Sequence, residues 1–155
     1  MSYSVERYHD ISCGHRVSGH ESKCKHLHGH NYRVHFTCES AGLDPVGRVI
    51  DFSVVKSALC MWLEENWDHK FLAWERDHMI RHLLFLDDAY SEAFGDEGVL
   101  RESIVLVPFN PTAENMARHL VDVVGPTQLE GTGVRLTSVR VEETAKCSAI
   151  YRGEK

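Results

Sequence analysis

The run Cys24-Lys25-His26-Leu27-His28-Gly29-His30-Asn31 constrains this chain more than any other stretch. Side chains of an extended strand leave on alternate faces, so His28 and His30 point one way while Leu27 and Asn31 point the other. Beyond it, Tyr32, Val34 and Phe36 alternate against Asn31, Arg33, His35 and Thr37, the pattern of a half-buried strand over 31–39. Residues 5–17 are also rich in strand formers and supply an antiparallel partner across the loop 18–27. Two strand-borne imidazoles make an incomplete metal site, and His15 is the third candidate. Three histidines with one open position is how catalytic zinc is held, whereas structural zinc takes four protein ligands. His26 shares the parity of His28 and His30 and becomes a fourth possibility if the strand starts early.

The 155 residues, 43% hydrophobic and 26% charged, suit one domain spanning 1–155. No apolar run has the length of a membrane helix, and the first residues lack the order of a secretory signal, so no membrane and a cytoplasmic location are expected. Five cysteines (Cys13, Cys24, Cys38, Cys60, Cys147) form neither a CxxC motif nor a regular framework, which favours reduced thiols. A net charge of −6 argues against a nucleic-acid partner. Between Cys13 and His35, however, Arg16, Lys23, Lys25 and Arg33 face only Glu21. That basic neighbourhood around the histidines reads either as a solvated loop or as the seat of an anionic, phosphorylated substrate.

Further along, Asp44-Pro45-Val46-Gly47 signals a turn, and Ser53 caps a helix running to about Trp67, with Val54, Val55, Ala58, Leu59, Trp62 and Leu63 on its buried face. Residues 74–86 suggest a short helix. Residues 87–102, with six acids and one arginine, read as a solvated excursion. A strand over 104–109 precedes a helix that starts at Pro111-Thr112 and stops at Gly125-Pro126; a hairpin of 134–144 and 147–152 closes the chain. The resulting order is strand, strand, helix, helix, strand, strand, with helices laid on a sheet.

Taken together, His15-Arg16, Cys24-x3-His28-Gly29-His30-Asn31-Tyr32, Ile50-Asp51-Phe52, Asp68-His69, Pro111-Thr112-Ala113-Glu114, Val141-Glu142-Glu143-Thr144 and Ile150-Tyr151-Arg152-Gly153 resemble the 6-pyruvoyl-tetrahydropterin synthase family, including its 6-carboxy-tetrahydropterin synthase branch. The resemblance runs nearly end to end. It implies an α+β tunnelling fold, a ββααββ subunit with an antiparallel sheet and helices on one face. Its barrel is completed by oligomerisation into trimers or hexamers, with active sites between subunits. It implies Zn2+ on His15, His28 and His30, a pterin triphosphate substrate, Cys24 as general base and Asp68-His69 as a second acid-base group. Glu143 would anchor the pterin, with Thr112 and Glu114 framing the ring, although a threonine and a glutamate opening a helix are equally explained by capping. Ala113 departs from the threonine of pyruvoyl-forming members.

The three residues between Cys24 and His28 resemble the carboxy-forming branch, animal-type pyruvoyl-forming members having five. The implied reaction is conversion of 7,8-dihydroneopterin triphosphate to 6-carboxy-5,6,7,8-tetrahydropterin, a carbon-carbon lyase step towards queuosine. A pyruvoyl-forming synthase and a noncatalytic zinc- or pterin-binding homologue are the alternatives. Local charge nominates Arg16, Lys23, Lys25 and His26 for the triphosphate.

Overall fold

Alternation in the first forty residues builds the centre of the molecule. In the computed structural model, which describes residues 2–95 and 98–154, strand β1 (Tyr3–His15) pairs antiparallel with β2 (His28–Ser40) from Tyr3 opposite Ser40 to His15 opposite His28. Ile11 and Cys13 of β1 and Tyr32, Val34, Phe36 and Cys38 of β2 are buried on one face. The other face carries Glu6, Asp10, Arg33 and His35. On the apolar side two helices cover the sheet. The first, α1, spans 52–66 with a π turn at Lys56–Cys60; it contributes Val55, Leu59 and Leu63 to the same core, with Trp67 just beyond it. Truncating a fully buried leucine such as Leu63 to alanine would cost about 2–5 kcal/mol.

Asp51, not the expected Ser53, caps α1: its carboxylate accepts the Ser53 amide, and Ser53 Oγ donates to the same oxygen at 2.7 Å. A four-residue strand, β3 (Phe71–Trp74), follows. It adds in parallel to the free edge of β1 at Gly14 and His15, and β4 (Ile104–Val107) adds in parallel to β3. Between them α2 (His78–Phe94) runs seventeen residues from an Asp77 cap to a left-handed Gly95. Helix thus extends into the acidic segment that the sequence assigned to a solvated excursion, and a short α3 (Val99–Ser103) lies against it. Asp96 and Glu97 of that segment lie outside the described residues.

The second covering helix, α4, spans 113–128 and is capped by Thr112. It does not stop at Gly125-Pro126. A π turn at Leu120–Val124 precedes the proline, and Gly125–Gln128 adds a further turn with Pro126 at its start, where a missing amide is tolerated. Strand β5 (Arg135–Thr144) then pairs with β2, and β6 (Cys147–Arg152) pairs with β5. The six-stranded sheet has the order β4-β3-β1-β2-β5-β6, so β4 and β6 are its edges. The strands β1, β2, β5 and β6 are antiparallel as expected; the strand expected over 104–109 is β4, but it pairs in parallel, and β3 is an addition. The five cysteines are unpaired, and no described helix is long and apolar enough to cross a membrane.

Candidate metal centre and active site

The last rung of the β1-β2 ladder sets the metal candidates side by side. His15 and His28 are Cα partners, Cys13 faces His30 two residues on, and Gly14 opposite Gly29 lies between the two rungs. One ligand atom from each of His15, His28 and His30 lies within 4.8 Å of the others. The ring centroids are 4.5 Å (His15 to His28), 5.2 Å (His15 to His30) and 5.1 Å (His28 to His30) apart. The backbone comes close enough because residue 29 has no side chain: a Cβ there would sit 2.9 Å from the Cys13 carbonyl oxygen.

Hydrogen bonds select the tautomers. His15 Nδ1 lies 2.7 Å from the Pro111 carbonyl and His28 Nδ1 lies 2.7 Å from the His26 carbonyl. A carbonyl accepts only, so each Nδ1 carries the proton and donates, leaving Nε2 with its lone pair. Nε2 of His15 is buried and has no hydrogen-bond partner among the described residues. Burial drives the His15 pKa down to about 4, against the pull of the Pro111 bond and with help from His28 and His30. Burial also lowers that of His30, which Glu143 opposes. Three imidazoles with ligand atoms within 4.8 Å of one another and one buried orphan nitrogen are a donor set of the kind zinc takes, so the residues present fit the metal expected from the sequence.

Glu143 reaches this face too. A register shift between Glu142 and Thr144 interrupts the β5-β6 ladder, and Glu143 Oε2 lies 3.9 Å from His30 Nε2. Glu142 turns to the opposite face, where its carboxylate meets Arg140 and lies 3.0 Å from His35 Nε2. Cys24 sits half-buried in a short 3-10 turn, Lys23–Lys25, and its carbonyl accepts the Val17 amide at 2.8 Å, which ties the loop to the end of β1. Thr112 Oγ1 accepts the Asn115 amide as the helix cap, exposed Glu114 lies in the first turn, where a carboxylate complements the helix dipole, and their neighbour Pro111 holds His15.

Asp68 and His69 are placed elsewhere. Asp68 Oδ1 accepts the Ser12 amide at 2.8 Å, and Oδ2 lies 2.7 Å from His69 Nδ1. Burial raises the Asp68 pKa, but the Ser12 amide and the His69 ring outweigh it and hold the carboxyl below its usual range. His69 adopts a left-handed φ of 56° and its side chain is 83% exposed. It opens onto a groove with Ser12, Asn31 and Arg33, on the sheet face away from the three histidines. One chain therefore does not unite the dyad with the metal candidates.

Two features escaped the sequence reading. Tyr32 is fully buried between His15 and His30 (centroids 5.8 and 5.3 Å), and its hydroxyl has no partner among the described residues; the alternation that aligned His28 and His30 was the available signal. Asp77, 2% exposed, pairs with Arg16 at 2.8 Å, a contact spanning sixty residues that no local pattern announces.

Comparison with known proteins gives this geometry relatives. Residues 4–154 match the family described as 6-pyruvoyl tetrahydropterin synthase. The chain is 30% identical over 138 residues to a Rickettsia bellii protein named 6-carboxy-5,6,7,8-tetrahydropterin synthase, covering 89% of this chain and 91% of the relative. It is 30% identical over 157 residues to one of that name from Haemophilus influenzae, covering 97% and 99%. Among solved structures, an uncharacterised protein from Wolinella succinogenes superposes with a TM-score of 0.85 at 28% identity, covering 99% of both chains. The 6-pyruvoyl tetrahydropterin synthase of Caenorhabditis elegans gives 0.63 at 21%, covering 99% of this chain and 97% of that one, which speaks for the fold alone. The α+β tunnelling fold expected from the sequence is borne out, with the single-chain sheet open at β4 and β6.

Proposed function

The chain belongs to the 6-pyruvoyl tetrahydropterin synthase family, and on that footing we propose that it is a 6-carboxy-5,6,7,8-tetrahydropterin synthase. It would convert 7,8-dihydroneopterin triphosphate with release of triphosphate and acetaldehyde, in the route to 7-deazaguanine nucleosides such as queuosine. The observation that carries the reading is the convergence of His15, His28 and His30 with Glu143 on one face of β1, β2 and β5. Relatives at 30–34% identity that carry this name over most of their length support the choice of branch, as does the three-residue spacing from Cys24 to His28.

His15, His28 and His30 would hold zinc, their Nδ1 protons fixed by backbone carbonyls for His15 and His28. When bound, the ion lowers the pKa of an oxygen ligand and stabilises negative charge developing beside it. Glu143, acceptor only when ionised, is suited to take two parallel N–H bonds from the 2-amino and N3 edge of a pterin and so orient the ring. Cys24, set in the short turn Lys23–Lys25, would remove a proton from the substrate side chain. His69, oriented by Asp68, would supply the second proton transfer. Because His69 faces away from its own metal candidates, the complete site needs the dyad of a second copy; open edges at β4 and β6 give the sheet a physical reason to assemble.

Incubation with 7,8-dihydroneopterin triphosphate followed by mass analysis tests the reading. A 6-carboxy product with acetaldehyde and triphosphate is expected; a retained pyruvoyl side chain without acetaldehyde would move the protein to the other branch.

A further inference from the structure

We propose that the surface groove between the 18–27 loop and the start of α2 seats the triphosphate of the substrate, with Arg16 and Lys25 as its anion-binding residues. This rests on the reading above. The groove is lined by Arg16, Lys25, His26, Leu27 and Met79. It borders the metal candidates at two points: Arg16 follows His15 in the chain, and the carbonyl of His26 holds the ring of His28.

Arg16 differs from an ordinary surface arginine. Its side chain is 15% exposed, and its Nε lies 2.8 Å from the carboxylate of Asp77, whose side chain is 3% exposed. Nη1 donates to the Met79 sulfur at 2.8 Å. Asp77 is itself fixed, its other oxygen capping α2 through the amides of Met79 and Ile80. The guanidinium is thus held along one edge by its charge pairing with Asp77, not by an aligned hydrogen bond at Nε, and by the Met79 contact, and Nη2 has no protein partner among the described residues. Such a clamp removes the rotamer entropy that a free arginine loses on binding. It also leaves a planar donor facing a wall that carries Lys25 and His26. Among the described residues, the one carboxylate in contact with the groove's side chains is Asp77, already committed to Arg16 and to the helix cap. Cations without an opposing exposed acid select an anion, and a pair set several residues apart on two segments suits an extended polyanion better than a single carboxylate.

The test is calorimetric binding of inorganic triphosphate to the full-length protein, metal-stripped so that no ion at the histidines can hold the anion, and again after zinc loading. Lys25→Ala, an exposed position that leaves folding intact, is expected to weaken binding about tenfold. Arg16→Lys, which keeps charge but loses the fork, is expected to weaken it about threefold. Lys56→Ala on α1 removes the same charge elsewhere and is expected to change affinity less than twofold. In turnover, Lys25→Ala should raise KM for the pterin triphosphate by a similar factor with kcat within twofold. Triphosphate affinity insensitive to both groove variants overturns the proposal, as does a loss equal to that of Lys56→Ala, or lost binding with KM unchanged. A protein that never turns over the pterin yet loses triphosphate binding on Lys25→Ala would sink the proposed reaction and leave the groove standing.

Discussion

The protonation of His15 offers the sharpest prediction, because its ring is 1% exposed and its environment fully described. Burial brings its pKa from the ordinary 6.5 to about 4. Between those values the unfolded chain holds a proton on this imidazole that the folded chain does not, so acidification favours unfolding. The effect is absent above about 6.5, where neither state is protonated, and saturates below about 4, where both are. At about 1.36 kcal/mol per pH unit, that window is worth about 3 kcal/mol in the metal-free protein. The perturbation is His15→Gln, whose amide still reaches the Pro111 carbonyl but does not titrate. Urea unfolding with a chelator present, at half-unit steps from pH 7 to 4, would be compared between wild type and variant. Carboxylates contribute to both curves and cancel in the difference, which should favour the wild type by about 3 kcal/mol more at pH 7 than at pH 4. A difference that does not change with pH would refute the assignment of His15 as a buried neutral imidazole with its Nε2 lone pair available.

Three further outcomes follow from the site. Cys24→Ala is expected to lower kcat by roughly 10²–10⁴ while zinc content by elemental analysis is unchanged; normal turnover would remove Cys24 from the chemistry. Glu143→Gln should weaken binding of a pterin product analogue by about tenfold or more, measured by fluorescence quenching, since the amide offers a donor where the ring edge needs an acceptor. Gly29→Ala must push β1 from β2, its Cβ meeting the Cys13 carbonyl at 2.9 Å, so a loss of about 1–3 kcal/mol in thermal denaturation and weaker zinc affinity in a chelator competition are expected.

The parts of the fold legible in the sequence were those with local periodicity. Alternation over 31–39 announced β2 and placed His28 and His30 together, and a 3.6-residue apolar spacing announced α1. β3 escaped because Phe71–Trp74 is too short to show alternation, and its parallel pairing to β1 depends on a contact sixty residues away. The acidic 87–94 stretch reads as solvated by composition, yet Ile80 and Leu84 anchor α2 at its start, and Asp87 and Asp88 turn towards α3, where they accept from the amide and guanidinium of Arg101. At Gly125-Pro126 the stop signal was overridden by a π turn, which spares the proline its clash. The histidine trio was readable because all three ligands lie on one hairpin. Arg16 with Asp77 and the partnerless hydroxyl of Tyr32 were not, being products of tertiary packing.

That His15 and His28 form the terminal rung of their ladder bears on how the protein would fail. The hairpin end can open by breaking a few contacts there while the Tyr32, Val34 and Phe36 core stays closed. Heat or a proteolytic nick in the 16–27 loop would scatter the ligand set before the sheet melts. Thermal inactivation should therefore run ahead of global denaturation and reverse on cooling, whereas a nick would be permanent; a metal held by the three histidines would act as a latch on a door whose frame outlasts it.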